Sequence, residues 1–357
     1  MRFAFLIHPV HARDIARKYP IAKYLPEVVI ERILTRKSPE KVSDITGIQS
    51  KSGATCEGIF IGLPLTPKMM VDTLPLDFVY DRLQQAAEVA QAEGCEIIGL
   101  GAFTAVVGDG GVTLDKRTPL AVTTGNSYTV ATAIEGAMNA ADELEIDPSQ
   151  ATLAVVGATG SIGKTCAKVM APKFERTVLI GRDQERTQSV ADEIDGAEAS
   201  VDVERLKEAD VVVTVTSADT AIIFPEHLKP GSVVCDVSRP RDVSSKVIEA
   251  RPDVLVIEGG VVKVPGPVDF GFNFGFPAGC AYACMSETIM LALEDRKESF
   301  TLGKDVSVEQ VIETQRMADK HGFELAGFRS FEMAVDKATI DRVKAARRPP
   351  AEPVTTS

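Results

Sequence analysis

Tryptophan is absent from this 357-residue chain, histidine occurs only four times, and aromatic residues make up 6%. No group of His, Asp and Glu carries metal-ligand spacing, so no protein metal site is expected. CxxC pairs are also missing. The six cysteines, Cys56, Cys95, Cys166, Cys235, Cys280 and Cys284, are spread along the chain. That excludes a zinc ribbon and a disulfide framework, and six unpaired thiols fit a reducing compartment. Long apolar runs are lacking. The N-terminal MRFAFLIHPV breaks at His8, too short for a signal-peptide core, and nothing approaches the roughly 18 residues of a membrane span. The expectation is a cytoplasmic protein without a transmembrane segment. Positive charge is in deficit, with 39 Lys and Arg against 51 Asp and Glu, a net charge of −12. This argues against nucleic-acid binding, whose footprint is a basic domain. Glycine (27) and proline (20) are ordinary, which excludes collagen-like and low-complexity readings. A chain this long builds two or three domains and buries its core without covalent staples.

What is present divides the chain. Residues 1–41 hold nine basic residues (Arg2, Arg13, Arg17, Lys18, Lys23, Arg32, Arg36, Lys37, Lys41) against four acids. Such a segment is either a solvated helix face or a docking patch for an acidic partner. The first half mixes signals, with strands expected over 3–7, 58–61 and 96–100 and helices over 81–93 and 128–144. Asn126 and Ser127 are the candidate caps of the second helix. The turn Asp147-Pro148-Ser149 marks a boundary. Beyond it, strands at 152–156, 177–180, 210–215, 232–236 and 254–257 alternate with helices at 161–170 and 186–194. This is the pattern of a parallel sheet wound by crossovers. The expected fold is α/β: a Rossmann-like doubly wound parallel-sheet domain plus an N-terminal α/β substrate domain. The expected divisions are 1–148 for the substrate and carrier-docking domain and 149–265 for the nucleotide-binding domain. Residues 266–330 would supply the Cys-bearing loop and helices, and 331–357 a helix and disordered tail.

Two constellations carry chemistry. In TLAVVGATGSIG (152–163), Gly157, Gly160 and Gly163 follow a strand and open a helix. The first permits the tight turn, the second backbone approach to a pyrophosphate, the third helix-on-strand packing. Thr159, Ser161 and Ile162 belong to the same loop, and the helix N-terminus offers N–H groups to phosphate. The next strand ends in Arg182, where a dinucleotide site places the group that reads the ribose, and Arg suits a 2′-phosphate. NADPH is therefore the expected cofactor, with Asp183 next door as the competing signal. Ser217 and Ala218 end a later strand, where the nicotinamide ribose is commonly lined. Gly259 and Gly260 suit close backbone approach.

The second constellation is GFNFGFPAGCAYACMSETIMLALE (271–294). Phe270, Phe272, Phe274 and Phe276 alternate with Gly and Asn before a helix expected over 281–293 that carries Cys280 and Cys284. A thiol near a helix N-terminus is stabilised as the nucleophilic thiolate; the bland alternative is a small buried hydrophobe. A nucleophilic Cys beside a hydride donor suits attack on an acyl thioester, an acyl-enzyme, and reduction to an aldehyde. Asn126 and Tyr128, with Thr124, are candidates for an oxyanion site or proton supply. Phe103 and Thr104 sit at a strand end where ligands collect, though a structural role fits them as well. Glu287 either orients the site or supports its helix. His8 ends the first strand; it suits an acid in the aldehyde step, but surface hydrogen bonding is the commoner state.

LGAFTAVVGD (100–109), TTGNSYTVATAIEG (123–136), TLAVVGATGSIG (152–163), EGGVV (258–262) and ACMSETIMLALE (283–294) occur in this order. In these motifs residues 1–325 resemble the long-chain acyl-(acyl-carrier-protein) reductases of cyanobacteria. The resemblance implies NADPH-dependent reduction of a fatty acyl thioester to the aldehyde through a Cys-bound acyl group. It aligns the family's ACxxEAMLLE-like segment on Cys284 rather than Cys280, and its LTARNQER segment on LIGRDQER, keeping Arg182. It also implies acyl carrier protein or acyl-CoA as donor. An acidic carrier would give the basic 1–41 segment a purpose, with Arg342, Lys344, Arg347 and Arg348 adding to it. An aldehyde-consuming enzyme and a second copy of the chain are the other expected partners. Two alternatives stay open: a Cys-independent NADP dehydrogenase of shikimate-dehydrogenase-like architecture, and a non-catalytic NADPH-binding protein.

Overall fold

The computed structural model describes residues 1–17, 20–271 and 277–347. It divides into two compact units, Met1–Tyr128 with Val262–Glu324, and Thr129–Val261 with Leu325–Ser357.

The first unit is built on a five-stranded sheet of β1 (Arg2–Ile7), β2 (Glu40–Gln49), β3 (Thr55–Gly62), β4 (Ile97–Gly99) and β5 (Ala121–Thr123). The spatial order is β2-β3-β1-β4-β5. β1 runs parallel to β3 and β4, and β4 to β5, while β2 returns antiparallel along β3. β1 is buried through Phe3–Leu6, as expected of a strand covered on both faces. Alternation splits it. Ala4 and Leu6 join a core with Ile30 and Leu34 of α1 (Glu27–Arg36) and Val79, Leu83, Ala86, Ala87 and Ala90 of α2 (Leu76–Ala92). Phe5 points the other way, and α8 (Ala283–Leu293) packs there: a Cβ on Gly99 would meet both Phe5 and Thr288. α3 (Val112–Arg117) and α9 (Val308–His321) complete this unit. α4 (Asn126–Glu143) begins in it and continues into the second.

The second unit carries β6 (Thr152–Val156), β7 (Arg176–Ile180), β8 (Ala197–Ser200), β9 (Val211–Thr214), β10 (Val233–Asp236) and β11 (Leu255–Glu258). All neighbours are parallel. The order β8-β7-β6-β9-β10-β11 is the 3-2-1-4-5-6 winding of a dinucleotide-binding sheet. α5 (Ser161–Met170), α6 (Gln184–Ala191) and α7 (Lys246–Ala250) belong to it. On one face Ala154, Val156, Val178, Val212, Val234 and Val256 form a continuous core. On the other, Cys235 and Ile257 lie against Ala133 and Gly136 of α4. The remaining elements are β12 (Val261–Lys263), β13 (Cys280–Tyr282), β14 (Glu324–Leu325), β15 (Arg329–Ser330), β16 (Met333–Ala334) and α10 (Lys337–Arg347).

The α/β class and the doubly wound sheet are as the sequence pattern implies. The divisions differ. The second unit starts at Thr129 rather than 149, because the small-residue face of α4 seats on β10 and β11. Residues 262–324 form part of the first unit, and α10 part of the second. Arg347 bonds Asp210 and the Gly231 carbonyl, and Lys344 pairs with Glu145, so these two cations are engaged within their own unit. Phe272, Phe274, Phe276, Arg348 and the tail beyond it lie outside the described residues. Phe270 is buried against the Phe60 ring, a packing role. Among the described residues no helix is long and apolar enough to cross a membrane.

Candidate active site and nucleotide loop

None of the six cysteines forms a disulfide, and Cys284 alone of them is half-buried, the other five being buried. It is the second residue of α8, after Tyr282 as N-cap. Cys280 lies instead on β13, so the two thiols do not share a helix face: the helix starts two residues later than expected. The N–H groups of Met285, of Cys284 itself and of Ala102 favour the Cys284 thiolate. Burial outweighs them, with the Glu287 carboxylate adding to it, and the thiol is pushed up to about 12. The expectation of a thiolate made by the helix terminus alone is therefore corrected. The resting group is a thiol, and the N–H cluster is positioned for negative charge that develops later.

Two backbone features hold this arrangement. Gly125 has φ of 74° and lies so close that a Cβ there would sit 2.3 Å from the Cys284 Cα. Ala102 has φ of 49°, a left-handed conformation that costs a non-glycine residue on the order of 1–3 kcal/mol and persists only where the surroundings impose it. The next turn is closed by Thr104, whose Oγ1 accepts from the Gly101 N–H and donates to the Gly101 carbonyl. Thr104 is structural.

Glu287, one turn along α8 from the thiol, is fully buried. Its carboxylate accepts from Thr123 Oγ1 at 2.5 Å, Thr301 Oγ1 at 2.9 Å and the Tyr128 N–H at 2.8 Å. The Ser127 N–H adds a further bond, while burial raises the pKa above the usual carboxylate range. Glu287 thus caps α4 from another helix, satisfying N–H groups that would otherwise be orphans. Asn126 and Ser127 were the expected caps. Asn126 is instead the first, buried residue of α4, and the Ser127 hydroxyl bonds Thr301 at 2.7 Å. Tyr128 is buried with its backbone N–H committed to Glu287. Thr124 donates through N and Oγ1 to the Thr301 carbonyl. Segment 123–128 is thereby fastened beside Cys284. The sequence showed the i, i+3 spacing of Cys284 and Glu287 but not the partners, which lie more than 150 residues away or on a loop without a motif.

In the second unit, Gly157 has φ of 80°, and a Cβ there would meet the Val215 carbonyl oxygen at 2.1 Å. Gly163 packs as closely on Gly157, at 2.4 Å, while Gly160 is open, with only Gly157 O at 3.3 Å. Gly160 is the N-cap of α5, and no side chain caps that helix. Gly160 is exposed, with Thr159, Ser161 and Ile162 half-exposed around it. The loop fits a pyrophosphate. Arg182 is exposed at the end of β7, and no ion pair engages it among the described residues. Asp183, the competing signal, caps α6 by accepting from the Arg186 N–H at 2.9 Å. Ser217 is exposed beyond β9. Gly259 packs on Val237 and Cys235, and Gly260, with φ of 85°, turns the chain into β12.

One group was missed by sequence reading. At the carboxyl ends of β9 and β10, buried Asp242 accepts from Thr214, Thr216 and Ser238 hydroxyls at 2.5 Å each and from the Thr216 N–H. Asp236 accepts from the Ser238 and Val243 N–H groups. The pair fixes loops at the edge where such sheets bind ligands. The "TVTS" and "DVSRPRD" runs held the signal, as polar residues directly after apolar strands.

The family model for Shikimate / quinate 5-dehydrogenase matches residues 139–257. Aminotransferase PigE of Serratia sp. is 33% identical over 308 residues, 83% of this chain, and the chain spans 36% of that protein's length. The long-chain acyl-[acyl-carrier-protein] reductase of Synechococcus elongatus is 27% identical over 328 residues, 88% of this chain and 94% of that protein. Among solved structures, L-tryptophan dehydrogenase from Nostoc punctiforme aligns over 90% of this chain and 80% of its own, with 10% identity and a TM-score of 0.43. The chain carries a dehydrogenase-type domain for a nicotinamide cofactor.

Proposed function

We propose that the protein reduces an acyl thioester to an aldehyde with NADPH, Cys284 carrying the acyl group between the two half-reactions. The observation that carries this reading is Cys284 at the start of α8, half-buried where the other cysteines are buried, with three backbone N–H groups favouring its thiolate. The likeness to the Synechococcus reductase along nearly its whole length supports it.

The sulfur attacks the thioester carbonyl; its proton leaves with the departing carrier thiol, and the acyl–Cys284 thioester remains. The N–H groups of Ala102, Cys284 and Met285 stabilise negative charge on the sulfur, both as it attacks and as it leaves again. Glu287 and Gly125 hold the start of α8 against the 123–128 segment. Gly157, Gly160 and the N-terminal N–H groups of α5 would bind the cofactor pyrophosphate, and Arg182 its 2′-phosphate. When bound, the cofactor supplies the hydride that converts the acyl group to aldehyde and frees the thiolate. The unpaired state of Arg182 and the capping duty of Asp183 support NADPH over NADH. Lys23, Arg32 and Arg36 are exposed on and beside α1, which supports an anionic acyl donor, an acidic carrier protein or coenzyme A with its phosphates.

The test is NADPH oxidation with palmitoyl thioesters of carrier protein and of coenzyme A, with the aldehyde detected directly. Aldehyde from native protein and none from C284S, which still binds NADPH, is the expected result. Undiminished turnover by C284S would replace this reading with a Cys-independent NADP dehydrogenase, the alternative that the 139–257 match favours.

A further inference from the structure

We propose that His8 is a positioning residue for Cys284: its imidazole accepts from the Phe103 N–H and so holds the turn that aims the Ala102 N–H at the sulfur. The inference rests on the reading of Cys284 as the acylated nucleophile.

β1 lies between β3 and β4. His8, just beyond β1, and the Ala102–Ala105 turn, just beyond β4, therefore leave the sheet side by side from its carboxyl edge. His8 Nδ1 lies 3.1 Å from the Pro9 carbonyl oxygen, an acceptor only, so this nitrogen carries the proton. Nε2 is then the acceptor for the Phe103 N–H at 3.3 Å. The Phe103 ring stands edge-on to the imidazole, centroids 6.4 Å apart. One residue earlier is Ala102, in its left-handed conformation, whose N–H is among the groups that favour the Cys284 thiolate. The turn is thus pinned at Thr104 by its own hydroxyl and at Phe103 by His8.

A second proton on the ring removes the acceptor and sets two N–H groups against each other. Burial holds the His8 pKa below its ordinary value, opposed only by the Pro9 carbonyl. No charged side chain from β1, β4 or the turn is among the groups acting on the ring. The ring stays an acceptor at neutral pH and loses that role on acidification. Cys284 reactivity then has two limbs, one from the thiol and one, on the acid side, from a residue that does not touch the sulfur.

The experiment is iodoacetamide alkylation of the full-length protein from pH 5 to 9, quantified at the Cys284 peptide by mass spectrometry. His8→Phe removes the acceptor and is expected to slow alkylation at pH 8 by about tenfold or more. His8→Gln puts an amide oxygen in reach of the Phe103 N–H without a titrating group. It is expected to stay within about threefold of native at pH 8 and to lack the acid limb. Native-like alkylation by folded H8F, or an unchanged acid limb in H8Q, overturns the inference. If H8F does not fold, the H8Q profile decides alone. A native Cys284 that is alkylated in this His8-dependent way but never acylated by a thioester overturns the proposed reaction and leaves the role of His8 standing.

Discussion

Asp236 shows what one buried carboxyl does to the protein. Burial, the largest influence, raises its pKa from the usual 3.8 to about 6, with the neighbouring Asp242 charge in the same direction and two N–H donors opposing. Between these two values the folded chain holds a proton that the unfolded chain has released. Stability therefore falls as pH rises through this window and is level above it. About two pKa units correspond to about 3 kcal/mol. Asp236→Asn removes the titration, so the native stability advantage over D236N should shrink by about 2 kcal/mol between pH 4 and pH 7. Denaturant titrations of both proteins across that range measure it, and a constant difference would refute the raised pKa. Gly125→Ala acts on geometry instead. Its Cβ would enter the Cys284 backbone at 2.3 Å in a left-handed conformation, and it is expected to cost more than about 1 kcal/mol and to lower the Cys284 acylation rate at least about tenfold. Acylation at the native rate would show that segment 123–128 does not position the thiol. Of these residues, Cys284 and Gly157 were legible because their types carry chemistry in any setting. Asp236, Glu287 and the cap at Asp183 were not, since a buried carboxylate is defined by partners that one chain position does not display.

At the scale of elements, β6, β7, β9, β10 and β11 were legible nearly to their ends, because doubly covered strands read as unbroken apolar runs, whereas β8, with only Ser200 buried, and the five-residue α7 were not expected. β2 was not. Its EKVSDITGIQ buries only Ile45 and Ile48, and the register shifts between them around Gly47, which erases the alternation that marks a half-buried strand. What anchors that hairpin is polar. Its turn carries buried Ser50, bonded at 2.7 Å to His321 Nδ1 at the end of α9, while His321 Nε2 bonds Glu294 at the end of α8, also at 2.7 Å. Three elements are tied by one imidazole that is 1% exposed. His321→Ala removes the imidazole from its buried site and leaves the Ser50 hydroxyl with Ser52 alone, whose hydroxyl and N–H it also bonds, so a loss of about 1–3 kcal/mol is expected. In a double-mutant cycle, S50A and H321A should couple by at least about 0.5 kcal/mol. Additive effects in thermal unfolding would mean that the two side chains stabilise separate parts of the unit.

For the whole molecule, the consequential feature is that the thiol and the nucleotide loop belong to different units, Cys284 to the first and Gly157 to the second. The contacts to the start of α8 from Ala102, Gly125 and Glu287 are made within the first unit. The contacts to the loop from Val215, Ile180 and Gly163 are made within the second. If acyl transfer to Cys284 depends only on the first set, it should proceed without cofactor, and the half-reactions should separate cleanly by mutation. Gly157→Val drives a side chain into the Val215 carbonyl, so it is expected to weaken NADPH binding by about 100-fold or more while acyl mass still accumulates on Cys284. C284S is expected to do the reverse, binding NADPH as native and retaining no acyl group. Intact-protein mass spectrometry after incubation with palmitoyl thioester, beside NADPH fluorescence titration, reads both quantities on the same samples. Loss of acylation in folded G157V would mean that the loop acts on the thiol, and that the cofactor must bind before the acyl group is transferred.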